Sequence, residues 1–133
     1  MNSRKDARQA VAAGILANVS GLQAVYDRET PDFGRLSPVC MVYSNGTRPG
    51  LARTLGAHAR DAGLFVALWW KWAETTEDDL DDLSEATWDY LESVSGPTAD
   101  WDGLDIDEQL SAMDYPIVDG VQYRRETIAI VVW

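Results

Sequence analysis

The 133-residue chain has one cysteine and one histidine. A lone Cys40 forms no intrachain disulfide, and with His58 as the sole imidazole no His/Cys set for zinc can assemble. A nucleophilic thiol needs a base beside it, and Cys40 sits in the apolar run SPVCMVYS, so it reads as a buried strand thiol. No glycine-rich phosphate loop is present, and no window approaches the roughly 20 apolar residues of a membrane-spanning helix. Positive charge is scarce. Eleven Lys and Arg stand against 22 Asp and Glu, a formal net charge of −11. That argues against holding the outside of nucleic acid, where basic groups must replace phosphate counterions, and against an anionic membrane surface. A role beside DNA stays open, because an acidic wall keeps DNA from sticking. Asp6 and Arg8 interrupt any signal-like core near the start, so the chain is expected to be made and folded in a cytoplasm.

Hydrophobic residues make up 46% of the chain, enough for one real core. Ser3 is placed to cap a first helix, with Asp6 three residues on. Ala7, Val11, Ile15 and Val19 follow at fourfold spacing, one stripe of that helix, and Gly21 closes it. LQAVYD reads as a short strand, ETPDFGRLSP as a loop set by Pro31, Gly34 and Pro38, and VCMVYS as an inner strand. Residues 45–63 are the least regular stretch, and Asn45-Gly46 suits a tight turn. They also gather Arg48, Arg53, Arg60 and His58 against one acid, Asp61. This reads as a long flexible loop reaching for an acidic neighbour.

Residues 64–73, LFVALWWKWA, alternate with period two, which means strand. Leu64, Val66, Leu68, Trp70 and Trp72 share one face, suited to packing on helices. Phe65, Ala67, Trp69, Lys71 and Ala73 share the other, which is too apolar for free solvent and is expected to pack or to meet another subunit. Thr76 is placed to cap a second helix, whose first turn holds Glu77, Asp78 and Asp79, favourable to the helix dipole. Leu80, Leu83, Thr87, Tyr90, Leu91 and Val94 form its buried stripe, and Gly96-Pro97 ends it. Asp81, Asp82, Glu85, Asp89 and Glu92 point away from that stripe. The acid run is therefore a cap and a solvated face, not a catalytic cluster, and neutralising Asp81 or Asp82 is expected to cost no more than about half a kcal/mol each. Asp100, Asp102, Asp105, Asp107 and Glu108 invite a calcium reading, but the glycine is misplaced and the closing Glu of an EF-hand loop is missing. A short helix is expected near residues 107–113, and VQYRRETIAIVVW is a last strand that ends apolar on both faces, hence central in a sheet. No cofactor is expected, and the carboxylates lack the buried setting that would make an enzyme of the chain.

Four stretches taken in order, RKDARQAVAAGIL, SPVCMVYSNG, FVALWWKWAETTEDDLDDLSEATWDYL and VDGVQYRRETIAIVVW, resemble the tail terminator proteins of long-tailed bacteriophages, the lambda type. The match covers nearly the whole chain, and it is order and spacing that carry it. Here the Tyr-Arg-Arg runs straight into the last strand, whereas the lambda-type protein has more residues between. The resemblance implies an α/β (α+β) fold: a single domain over residues 1–133, with a mostly antiparallel mixed sheet flanked by two or three helices. It also implies a homo-hexameric ring, in some members formed only from free monomers on the tail. The ring caps the tail-tube protein, stops tube growth and presents a surface to the head-completion protein. DNA passes through it without specific binding. The expected place is the virion, at the head-proximal end of the tail. Arg48, Arg53 and Arg60 in the loop, Phe65, Trp69 and Lys71 on the strand, and Arg124 and Arg125 before the last strand are the candidate subunit or tail-tube interface. A head-to-tail joining protein shares the small size and ring assembly. An acidic inhibitor mimicking DNA shares the charge, but would need its carboxylates spread like phosphates, not clustered on one helix.

Overall fold

The fourfold spacing of small and branched apolar residues makes α1 (Arg4–Asn18), on which Ala7, Val11 and Ile15 are completely buried. The computed structural model describes residues 4–30, 36–49, 60–72 and 76–133. Ser3 and the side chain of Thr76, the two expected helix caps, lie outside the described residues. Gly21, just past α1, takes the left-handed backbone at φ 96°, where a side chain would be strained. The chain then enters β1 (Ala24–Tyr26), runs parallel to it along β2 (Val39–Pro49), and returns antiparallel along β3 (Arg60–Lys71). After α2 (Thr76–Ser93) come β4 (Leu104–Asp114), the two-residue β5 (Ile117–Val118) and β6 (Val121–Val132). The sheet order is β1-β2-β3-β6-β4, with β5 paired to the start of β6. The architecture is the expected one: a small, single-domain α+β protein with a mixed, mostly antiparallel sheet and, among the described residues, two helices.

Both helices lie on the same face of the sheet. Cys40, Val42, Leu64, Val66, Leu68, Ile128, Ile130 and Val132 meet the stripes of α1 and α2 in one apolar cluster. Fully buried side chains such as Ile15, Leu80 and Leu91 each contribute roughly 2 kcal/mol. Thr87 is also buried; its hydroxyl donates to the Leu83 carbonyl one turn back at 2.8 Å, so it brings no unsatisfied group. The two helices come close at Gly14, where an added Cβ would collide with the Tyr90 hydroxyl. On the opposite face Val39, Met41, Ala67, Trp69 and Tyr123 form a second cluster, with Tyr26, Tyr43 and Val118 around it.

Three expectations are corrected. Residues 45–49 and 60–63 are not loop: they extend the β2–β3 hairpin, with Arg48 opposite Asp61 and Pro49 opposite Arg60. Asn45-Gly46 is not the turn; Asn45 is the extra residue of a bulge between Ser44 and Gly46, which lets the hairpin bend and continue. The remaining connection, residues 50–59, lies outside the described residues. Residues 107–113 are strand, not helix. Between Asp107 and Ala112 four residues of β4 stand opposite one of β6. The Asp107 carboxylate accepts from the N–H groups of Gln109 and Leu110 at 3.2 and 3.3 Å. The Ser111 hydroxyl donates to the Asp107 carbonyl and accepts from the Ala129 N–H, standing in for a missing ladder carbonyl. An Asp and a Ser thus turn a helix-prone sequence into a kinked edge strand. β5 and β6 meet at Asp119-Gly120, both at positive φ (52° and 78°), the two-residue hairpin turn that favours an Asp-Gly pair.

The segment after α2 is fixed by Trp101, whose indole N–H donates to the Val94 carbonyl at 2.8 Å. Gly103 then pairs with Trp133 and lies flat beneath its indole ring, where a Cβ would collide with three ring carbons. Gly103→Ala is expected to displace that ring at a cost of about 1–3 kcal/mol. Gly96→Ala, facing open space, is the control expected to stay within about half a kcal/mol. Denaturant unfolding of the two variants measures the difference.

Candidate interface

Alternation along β6 sends Tyr123 and Arg125 to one face and Arg124 to the other. Arg124 is 2% exposed, beneath the first turns of α2. Its guanidinium donates to the Asp81 carboxylate at 2.7 Å and to the Glu77 carbonyl at 3.5 Å, with the Glu77 carboxylate at 3.8 Å. Its Nε lies 3.2 Å from the Met113 sulfur. The expectation that Arg124 offers a docking charge is corrected: its fork is committed inside the chain. Asp81 is corrected with it. It faces water on one side, but it is also the counter-ion of a buried arginine, so it is more than solvated surface. The acid run remains a first turn and an outer face for Glu77, Asp78, Asp79, Asp82, Glu85, Asp89 and Glu92, all exposed.

On the other face Arg125 is held in a two-pronged pair with Asp114, its Nε at 2.7 Å from Oδ1 and its terminal nitrogen on Oδ2. Its guanidinium lies 4.9 Å over the Trp69 ring, and Trp69 meets Tyr123 edge to face at 5.8 Å. Such contacts contribute about 0.5–1.5 kcal/mol each. Trp69 is 8% exposed within the single chain, so its face closes largely on itself, as a core position does. Phe65 is half-buried and packs edge to face on Tyr43 at 5.6 Å. Burial raises the Tyr43 pKa, as do Glu29 and Asp114, against the opposing charge of Arg125. Lys71 is half-buried, with its backbone N–H on the Ser37 hydroxyl at 3.0 Å. Arg48 and Arg60 are described as backbone only, at the far end of the β2–β3 hairpin; Arg53 and His58 lie outside the described residues. Of the five candidates whose side chains are described, Arg124 lies on the helix-covered face and Phe65, Trp69, Lys71 and Arg125 lie on the other.

One cluster of exposed apolar side chains was not anticipated. Trp72, expected on the helix-packed face, lies one residue past β3 and is 48% exposed. Its ring meets Tyr115 edge to face at 5.2 Å, and the Tyr115 hydroxyl lies 3.7 Å from the Met113 sulfur. The Trp72 N–H bonds the Gln122 carbonyl, which draws Ile117, paired with Gln122, and Val121 to the same end. Ile117 is 69% exposed. The signal was present in MDYPIVDGV, a run of apolar residues around a proline and an Asp-Gly turn with no helix to cover them.

Cys40 is completely buried among apolar side chains, which pushes its pKa from 9.0 up to about 12, as suits an inert strand thiol. Among the described residues no three His, Cys, Asp or Glu side chains converge as for a metal ion, and no helix is long and apolar enough to cross a membrane. No protein-family model matches the chain, and no curated protein matches it either.

Two measurements check these assignments. Asp81→Asn leaves Arg124 buried with a weakened partner and is expected to cost about 1–2 kcal/mol, whereas Asp82→Asn stays within about half a kcal/mol; equal small effects would mean Arg124 is held by other groups. The buried thiol sets the second. Its stabilisation is fully present below pH 9, where the unfolded chain keeps its proton, and is lost as pH rises toward about 12. The stability gap between wild type and Cys40→Ala should therefore narrow by roughly 1.4 kcal/mol per pH unit across that window.

Proposed function

We propose that this chain is a tail terminator of a long-tailed bacteriophage: a non-enzymatic, ring-forming virion protein at the head-proximal end of the tail. Its copies cap the tail-tube protein, stop its polymerisation and present a surface to the head-completion protein, while DNA passes through the ring. The observation that carries this reading is the order of elements. An opening helix, an inner strand after a proline, a Trp-rich strand running into an acid-rich helix, and a Tyr-Arg-Arg entering an apolar last strand belong to one sheet with both helices on one face. An assembling role is supported by the exposed aromatic and aliphatic end around Trp72, Tyr115 and Ile117. An electrostatic role beside DNA is supported by the net charge of −11.

Tails assembled without this protein, viewed by electron microscopy, are expected to overrun their normal length and to remain unjoined to heads. Tails of normal length that join heads would sink the proposal. Tails of normal length that fail to join would replace it with the head-to-tail joining reading. In solution the protein should not compete with DNA for a nuclease, as a DNA mimic would.

A further inference from the structure

The exposed apolar end of the sheet is assembled from distant parts of the chain. Trp72 follows β3, Met113 and Tyr115 lie at and just past the end of β4, and Ile117 and Val121 flank the turn into β6. Specific contacts hold these pieces together. The Trp72 and Tyr115 rings meet edge to face, the Tyr115 hydroxyl lies on the Met113 sulfur, and the Trp72 N–H bonds the carbonyl of Gln122, the residue paired with Ile117. The five side chains are between 38 and 69% exposed. At about 200 Å² for one large side chain, they offer roughly 500 Å² of apolar surface. Charge narrows what covers it. Arg125 is bound to Asp114, Arg124 to Asp81 with Glu77 close by, and Lys71 is engaged within the chain as well. Committed cations attract no acidic partner, and the carboxylates they match attract a basic one only weakly. Helix α2, by contrast, carries no basic residue, so copies that met along it would set acid against acid.

We propose that the Trp72 end of one copy packs on the Trp72 end of a second copy, so that free chains pair about a two-fold axis. The area fits. A standard interface buries about 800 Å² on each side, and about two-thirds of a homodimer's is apolar, close to what this end offers. The surface is also held in place before contact, by the ring pair and the hairpin, so little order is lost when it is covered. A contact of one patch with its own copy is isologous, and it stops at two chains unless another surface joins the pairs. The inference goes beyond the proposed function, because it concerns the free chain in solution and does not depend on a tail.

Two substitutions at the most exposed position test it, Ile117→Asp and Ile117→Lys. Ile117 stands mostly in solvent on a two-residue strand, so both variants should melt like wild type. Sedimentation over a range of concentrations reads the pairing. Wild type should pass from monomer to dimer. Added salt should strengthen the dimer, because it screens exposed Asp119 and the net charge of −11 and leaves apolar contact intact. Each variant alone should need at least tenfold more protein to pair. The two mixed in equal amounts should recover the dimer, since each patch then carries the charge opposite to the patch it meets. Leu16→Asp, on the exposed side of α1, is the control expected to pair like wild type. A wild type that stays monomeric to millimolar concentration would give this end to a different protein and overturn the proposal. So would a dimer that Ile117→Asp leaves intact, a dimer that salt weakens, or mixed variants that stay apart. Tail length, which tests the proposed function, is read separately from all of these.

Discussion

The pairing of β6 between β3 and β4 is the constraint on which the rest of the molecule depends. A strand with neighbours on both sides has no free edge, and because β6 ends in a run that is apolar on both faces, each face there must be closed by something. On one face α1 and α2 do this, with Ile128, Ile130 and Val132 beneath them. On the other, β6 contributes Tyr123 to a cluster of aromatic and aliphatic side chains with Trp69 and Met41. The cation that alternation puts under α2, Arg124, would be a poorly compensated buried charge without Asp81 and, at longer range, Glu77. These two partners on α2 tie the helix start to the central strand.

What was legible in the sequence follows from this arrangement. The helices declare themselves because each buries one stripe: Ala7, Val11 and Ile15 in α1, Leu80, Leu83, Thr87 and Leu91 in α2. β3 declares itself through period two. β4 did not, because it is an edge strand with Asp107 and Ser111 making local hydrogen bonds inside it. Its apolar and polar residues therefore follow neither period. The hairpin legs at residues 45–49 and 60–63 were hidden for a related reason: their pairing depends on each other and on a bulge at Asn45, and composition does not record pairing. The Asp-Gly before β6 was a turn signal, and reading it would have found β5.

The candidate interface was less legible than the fold. An arginine beside an apolar strand looks the same in sequence whether its face is covered by a helix or open to water. Arg124 and Arg125 are chain neighbours with opposite fates, and only the register of β6 against β3 separates them. Trp69 and Trp72 divide in the same way. Trp69 lies opposite Val39 and Arg125 within the sheet and is closed over, while Trp72 is past the last paired residue of β3 and opens to solvent beside Tyr115.

Charge completes the argument. Subunits of net charge −11 repel one another, so any assembly of them needs contacts that offset the repulsion locally. Spreading the few cations evenly would weaken the repulsion a little everywhere and align nothing. In this chain Arg124 and Arg125 are spent on intramolecular partners. An assembly of such chains therefore has to draw on apolar contact more than on charge pairing, and the exposed rings of Trp72 and Tyr115, with Ile117 beside them, are where the described surface has it.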